Sequence, residues 1–368
     1  MTGTRPGGPA RDSARLVPPA PGGSPWPVAP GLKLECDIAR TCRLDLDSRT
    51  LRARVITRLA QDVAHDAYCF ATIDPWTLLV TDDLSDGIPP GNAVLAAHNE
   101  YLVSDVDKFA DLARTGRTVG ILSRSAASRG SERLRAVLPA IGAQHELRAV
   151  FLADGECWGT LSLFRRGGRA DFTPREAGLL RSLSRTVAAA LRRACVNTAP
   201  AAPSVPPGPG VLVLDEEGRT LVANETARRW LDEIGTLPPH EVAAAARAGR
   251  GEEAYLRVRS RAGRWLSLWG SPLDGDPERG ASIVIQPSPT SHITETLALA
   301  HGLTAREQEI LRQVISGLPS TGIAAALAVS PYTVQDHLKA IFAKFGVRSR
   351  GELVARALGI PSTDVVPR

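Results

Sequence analysis

No stretch of this chain approaches the run of about eighteen apolar residues that a membrane-spanning helix needs. The first residues lack the apolar segment of a secretory signal, and none is expected. Cysteine is scarce: Cys36, Cys42, Cys69, Cys157 and Cys195 lie scattered. No CxxC and no Cys-His cluster with metal spacing occurs, which argues against a zinc finger and a disulfide framework. Such thiols suit a reducing, cytoplasmic setting and a packing role. Missing too are GxxxxGK[ST], GxSxG, HExxH and any convincing pair of catalytic carboxylates. Asp82-Asp83 and Glu216-Glu217 sit in turn-like sequence and read as solvated. No enzyme, metal or cofactor is expected. Charge is nearly balanced, 44 Lys and Arg against 39 Asp and Glu. The resulting +5 means little for nucleic acid unless it is locally concentrated.

What is present is enough apolar material, 43% of 368 residues, for two or three packed cores. The 33 glycines and 28 prolines are unevenly spread. Residues 1–31 are dominated by Pro, Gly, Ala and Ser and read as a disordered leader. TAPAAPSVPPGPG at 198–210 reads as a semi-rigid spacer, which places a linker over 197–208. PSPTS at 287–291 is a weaker break. These divide the folded part into residues 33–196, 209–287 and 297–360.

In the first block Leu51, Val55, Leu59 and Val63 recur every fourth residue, a helical stripe over 51–67 with arginines on the other faces. AYCFATIDP reads as a strand ending in an Asp-Pro turn, and a helix is expected over 92–99. HELRAVFLADG and ECWGTLSLFRR read as antiparallel partners, the second a half-buried strand. Thr173, Pro174 and Glu176 then form a capping box ahead of Leu179, Leu180, Leu183, Val187 and Leu191. This order resembles a GAF domain, an α+β sensory fold, most specifically over 147–193. Its ligand, if any, is not identified. His65 and Cys69 lie near a pocket strand but lack partners at metal spacing.

In the second block Val211–Leu214 and Thr220–Ala223 read as strands around an Asp-Glu-Glu-Gly turn. Asn224 starts a helix carrying Ala227, Trp230 and Leu231. AYLRVRS, RWLSLWGSPL and ASIVIQP are three further strands, and His240 beside Pro238 and Pro239 reads as loop. The pattern resembles an α+β PAS domain, with a scaffold or dimerising role weighed beside a sensory one.

The third block is the sharpest. Thr304 and Glu307 make a capping box before Ile310, Leu311, Val314 and Ile315, and Gly317 ends that helix. Ile323, Ala324 and Leu327 mark a second helix. Ser330 and Pro331 start a third, with Val334, Leu338, Ile341 and Phe342 on its buried side, and Gly346 ends it. Ser349 and Glu352 open a fourth. Four short helices with a tight turn suit an all-α helix-turn-helix reader. Leu303-Thr304-x-Arg306-Glu307, Ile323-Ala324, Ser330, Thr333-Val334, His337-Leu338, Lys344 and Gly346-Val347 resemble the DNA-binding domain of the LuxR family of transcriptional regulators. The third helix exposes Thr333, Gln335, Asp336 and Lys339. Gln335 is suited to an adenine edge, and Lys339, Lys344 and Arg348 to phosphates. The resemblance implies that Thr333, Val334 and His337 also approach DNA, with packing an equal role for Val334 and His337. By the same analogy Leu353, Val354 and Leu358 form a dimer surface. Ser320, Thr321 and Gly322 stand where the family commonly has Asn-Lys-Glu, and Gln335 and Asp336 also depart from its pattern.

Together the blocks are expected to form a cytoplasmic, non-membrane regulator that binds double-stranded DNA as a homodimer. Its first two modules would answer a small-molecule or protein signal. The competing reading is an interaction and dimerisation module whose helix-turn-helix does not read DNA.

Overall fold

The structure is a computed structural model. It describes Gly3 and residues 30–89, 91–196, 208–235, 237–249, 253–273 and 280–358. The leader over 1–31 and the linker over 197–208 fall almost wholly outside these residues. Where the leader overlaps them, a helix already begins at Pro30.

The first block opens with α1 (Pro30–Cys42) and α2 (Ser48–Leu59). Its sheet contains β1 (Ala67–Ile73), β2 (Val80–Asp86), β3 (Val119–Ile121), β4 (Ala143–Ala153) and β5 (Glu156–Arg166). Between β2 and β3 run α3 (Asn92–Ala97), continued by a wide turn over 98–102, and α4 (Phe109–Thr115). The short α5 (Leu138–Ala140) precedes β4, and α6 (Pro174–Ala194) closes the block. All pairings are antiparallel, in the order β2-β1-β5-β4-β3. Leu34, Leu51, Val55, Leu180, Leu183 and Val187 pack on one face around Phe70, Leu161 and Leu163. Leu112, Leu138 and Ile141 cover the other. With both faces covered, β5 is buried along nearly its whole length rather than half-buried as its alternation suggested.

Three local expectations change. The helix expected over 51–67 ends at Leu59, because Asp66 already joins the sheet by donating its N–H to the Phe164 carbonyl at 2.8 Å. Val63 stays fully buried in the turn. Arg52 is not on an outer face but fully buried, its guanidinium donating to the Phe70 carbonyl at 2.8 Å and paired with the Asp82 carboxylate. Asp82 and Asp83 therefore lie in an edge strand, β2, and Asp82 answers a buried cation.

The second block holds β6 (Gly210–Leu214), β7 (Thr220–Ala223), α7 (Glu225–Ile234), α8 (Leu237–Ala248), β8 (Ala254–Arg259), β9 (Trp265–Pro272) and β10 (Ala281–Pro287). Its antiparallel order, β7-β6-β10-β9-β8, repeats the second-first-fifth-fourth-third order of the first sheet. Asn224 caps α7 by accepting from the Ala227 N–H at 2.7 Å. Trp230 and Val242 then seal Leu212, Leu256, Leu268 and Ile283. His240 is helical rather than in a loop. Pro238 and Pro239 occupy the first turn of α8, where a missing N–H costs nothing. At the start of β10, Gly280 has φ +99°, and a Cβ there would lie 2.1 Å from the Leu214 carbonyl oxygen.

The third block begins earlier than the 297 boundary. The PSPTS break is the start of α9 (Thr290–Ala300), whose Leu297 and Ala298 enter the C-terminal core. Then come α10 (Ala305–Ile315), α11 (Ser320–Ala326), α12 (Pro331–Phe345) and α13 (Arg350–Ala357). Both capping boxes foreseen at Thr173–Glu176 and Thr304–Glu307 are formed, each cap contributing about 1 kcal/mol.

The first two blocks are joined by more than a tether. Leu79, from the β1–β2 turn, belongs to the core of the second block. Beside it Asp74 grips Arg257 of the edge strand β8. It accepts from Nε and Nη2 at 3.1 Å each and from the Arg257 N–H at 3.2 Å. Both side chains are almost wholly buried. At the other end of the contact, α8 lies on β2 and the 98–102 turn. There the buried Glu241 accepts from the Tyr101 hydroxyl and from the Val80 N–H. Burial, with Glu100 and Asp83 nearby, pushes its carboxyl up to about 7.

Removing one member of the Asp74–Arg257 pair strands a buried charge. Asp74→Ala is therefore expected to cost about 3–5 kcal/mol in chemical denaturation, while the apolar pair Asp74→Leu with Arg257→Met recovers most of the loss. Equal losses in the single and paired variants would contradict this reading. Glu241 gives a second test. Its folded pKa lies above the ordinary 4.5, so its contribution is complete below that value and disappears as pH rises through about 7. Thermal midpoints measured across this window should fall with rising pH in the native chain, and Glu241→Gln should remove that component.

Candidate nucleic-acid interface

The C-terminal helices owe their arrangement to one shared core. Ile310, Leu311 and Val314 of α10, Ile323 and Ala324 of α11, and Val334, Leu338, Ile341 and Phe345 of α12 are all buried together. The turn from α11 into α12 closes with the Val329 N–H donating to the Ala324 carbonyl at 3.0 Å, and with Ala328 at φ +53°. Ser330 caps α12 by accepting from the Thr333 N–H at 3.0 Å, Pro331 takes its first turn, and Gly346 closes it in the left-handed region. Each device was readable locally because each depends on residues within one turn of the helix end.

With one side of α12 committed to the core, the opposite side is exposed. It presents Tyr332, Gln335, Asp336 and Lys339, with Thr333 and His337 half-buried at its margins. Gln335 donates to the Ser320 hydroxyl at 3.2 Å and is held toward α11. Lys339 pairs with Asp336 at 3.1 Å, so the carboxylate that sits poorly near phosphate has a cation beside it. Tyr332 is 75% exposed and was missed in the sequence, where the spacing of apolar residues drew attention to the inner face.

Several expected site residues are placed elsewhere. Val334 is fully buried and packs in the shared core, the packing role weighed for it. Leu353 is also fully buried, because α13 packs this side chain inward against the other helices. Val354 and Leu358 remain half-exposed. The Lys344 ammonium is held by the Glu307 carboxylate at 2.6 Å and the Gly302 carbonyl at 3.0 Å. It ties the end of α12 to the start of α10 rather than standing free. Burial, only partly offset by the Lys344 carbonyl, pushes the nearby His301 down to about 4. Its ring stacks on Phe345 at 4.0 Å. Arg348 is exposed, and its backbone N–H donates to Glu352 at 2.9 Å. Lys339, Lys344 and Arg348 are all exposed, but Lys344 is the one of the three tied to α10.

In the N-terminal block His65 turns to the Val63 carbonyl at 2.9 Å. Among the described residues no group of three His, Cys, Asp or Glu side chains is placed to hold a metal. All five cysteines are free thiols. No helix among the described residues is long and apolar enough to cross a membrane.

Comparison with known proteins agrees with this geometry. Residues 301–357 match the model for bacterial regulatory proteins of the luxR family, and residues 49–191 match the GAF domain model. A putative HTH-type transcriptional regulator of Mycobacterium bovis is 47% identical over 62 residues, which are 16% of this chain and 7% of that protein. A probable transcriptional regulatory protein NarL of Mycobacterium tuberculosis is 41% identical over 56 residues, 15% of this chain and 26% of that protein. The matched segment thus spans well under a third of these relatives. Among solved structures, Escherichia coli SdiA aligns over 89% of this chain and 96% of its own at 13% identity, with a TM-score of 0.36. Both relatives are described as transcriptional regulators. The chain carries a luxR-family helix-turn-helix domain at its C-terminal end, preceded by a GAF domain.

Proposed function

We propose that this chain is a transcriptional regulator that binds double-stranded DNA through α12, under the control of its two N-terminal modules. The observation that carries the reading is the exposed face of α12. It is capped, rigidly backed by a shared core, and lined by Thr333, Gln335, His337 and Lys339 with Arg348 just beyond its end. A helix so presented fits the major groove, where an amide side chain reads adenine and cations meet phosphate. Residues 297–360 carry seven Lys or Arg against four Asp or Glu, which concentrates positive charge where the chain as a whole has little.

The second block is proposed to be PAS-like. Its five-stranded order, with α7 and α8 between the second and third strands in sequence, supports that reading. Together with the GAF domain it makes the regulatory half of a cytoplasmic protein. Two copies would join through the half-exposed Val354 and Leu358 of α13 and place two α12 helices on paired half-sites. The signal is a small molecule or a protein partner.

Genomic fragments selected by the purified full chain, followed by gel shifts at several salt concentrations, test this. Lys339→Ala and Arg348→Ala should each lower the salt slope by about 1 while leaving the melting temperature unchanged. Gln335→Ala should relax the preferred sequence. Lys344→Ala should instead destabilise the C-terminal domain by roughly 1–3 kcal/mol, because it orphans the nearly buried Glu307. Failure to retain any DNA at low salt would favour the interaction-module reading.

A further inference from the structure

The interior of the GAF domain offers little room on the sheet face beneath α3 and α4. Glu146, only 1% exposed, is flanked there by Arg133 at 2.7 Å and Arg148 at 2.8 Å, and Arg148 reaches Glu100 at 2.7 Å and lies over the Phe109 ring. This ionic cluster fills the space with charges that answer one another. A cavity of about 330 Å³ lies instead where the three blocks meet. Its walls come from the start of α2, the end of β1, β5 and the end of α6 in the first block. The end of α7, β8 and β9 supply the second, and Thr296 of α9 the third. It is at the small end of the sizes typical of small-molecule sites.

We propose that this cavity binds a small organic monocarboxylate with an apolar, preferably aromatic, body. Three observations select that class. Ile73, Leu191, Ile234, Trp158 and Trp265 give the cavity an apolar lining for the body of a ligand. The charges around it do not balance locally. Asp74 is matched by Arg257, Asp82 by Arg52, and Glu233 by Arg264 at 3.6 Å, while Asp47 caps α2 by accepting from Thr50. The exposed guanidiniums of Arg49 and Arg261 have no carboxylate partner among the described residues; together they outweigh the Asp47 carboxylate, which keeps its charge in its cap, and leave a small positive surplus on the wall. Three wall residues also carry buried polar atoms without a hydrogen-bond partner, the donors Ser48 Oγ and Trp158 Nε1 and the acceptor Glu233 Oε2. The two donors are closed off from the open cavity, so an oxygen-bearing ligand supplies their acceptor only where the wall shifts to uncover them. A neutral ligand would leave the arginines unanswered, and a dianion would meet Asp74, Asp82 and Glu233 at close range.

The site's position gives occupancy a consequence, which rests on the regulatory reading above. Thr296 lines the cavity, and one residue away Glu295 faces Arg257 at 3.8 Å. The next two residues, Leu297 and Ala298, belong to the core that supports α12. A ligand that reorders this wall acts on the helix that connects the sensory blocks to the DNA reader.

Phenylacetate is the probe, with phenylacetamide as its neutral counterpart, titrated into the full chain by calorimetry and tryptophan fluorescence. Saturable binding is expected for the acid, with the amide roughly tenfold weaker. Arg49→Gln with Arg261→Gln should weaken the acid by a similar factor without changing the melting temperature, since both side chains are exposed. No saturable binding in the millimolar range, equal binding of acid and amide, or an unaffected double variant would each overturn the proposal. Gel shifts run in parallel keep the two readings apart. A chain that binds phenylacetate but no DNA retains the site and loses the regulator reading, and the opposite result retains the regulator and removes the site.

Discussion

The carboxylate of Asp74 and the guanidinium of Arg257 meet almost out of reach of water, and the architecture hangs on that contact. A buried pair of this kind is weak evidence of stability, because desolvating both ions offsets most of their attraction. Its value is in specificity. Once buried, neither charge tolerates any position but the one that answers it, so the β1–β2 turn and the edge strand β8 are fixed in a single register. Leu79 in the neighbouring core supplies the apolar burial, and the ion pair decides where it is buried. Edge strands invite uncontrolled pairing. Here the outer N–H of Arg257 is used by Asp74, so the edge is closed by the same contact that docks the two blocks.

From that lock the path to the DNA reader is short. Arg257 faces Glu295 of α9, and Tyr255, two residues earlier on β8, bonds His292 of the same helix at 2.6 Å. Arg259 donates to the Cys195 carbonyl at the end of α6 at 2.7 Å. Alternate residues of one strand thus touch the last helix of the GAF domain and the first helix of the C-terminal unit. Further on, α9 carries Leu297 and Ala298 into the core under α12. The proposed control of the helix-turn-helix by the first two blocks calls for a shared structural element. In this chain α9 is shared, and β8 holds it.

The C-terminal domain was legible in the sequence because its determinants are local. Ser330 capping Thr333, Thr304 answering Glu307, and Gly346 at positive φ are contacts within a few residues, and the exposed face of α12 follows once the buried face is known. What escaped was long-range. Asp74 and Arg257 are separated by 183 positions, and nothing near either residue announces the other. Arg52 was placed on an outer face because arginine seldom lies at zero exposure, and only the strand brought beside it, with Asp82, makes that burial tolerable. The same gap hid β2, whose acidic composition argues against a strand until Arg52 is known to face it. Pro238-Pro239 read as a break because their place in the first turn of α8 depends on the chain arriving from α7. Val334 and Leu353 show the remaining limit: helical spacing put Val334 on the buried side, only the family resemblance gave the two residues DNA and dimer roles, and both pack in the core.

The account's central claim is that the Asp74–Arg257 contact makes the first two blocks and the root of the helix-turn-helix domain one cooperative unit. Hydrogen exchange on the full chain, native against Asp74→Asn, tests it most directly. The account predicts that protection is lost together across β8 at residues 254–259 and α9 at residues 290–300, while the β4–β5 hairpin keeps its protection. Faster exchange confined to the β1–β2 turn around residues 74–79, with α9 unchanged, would contradict it.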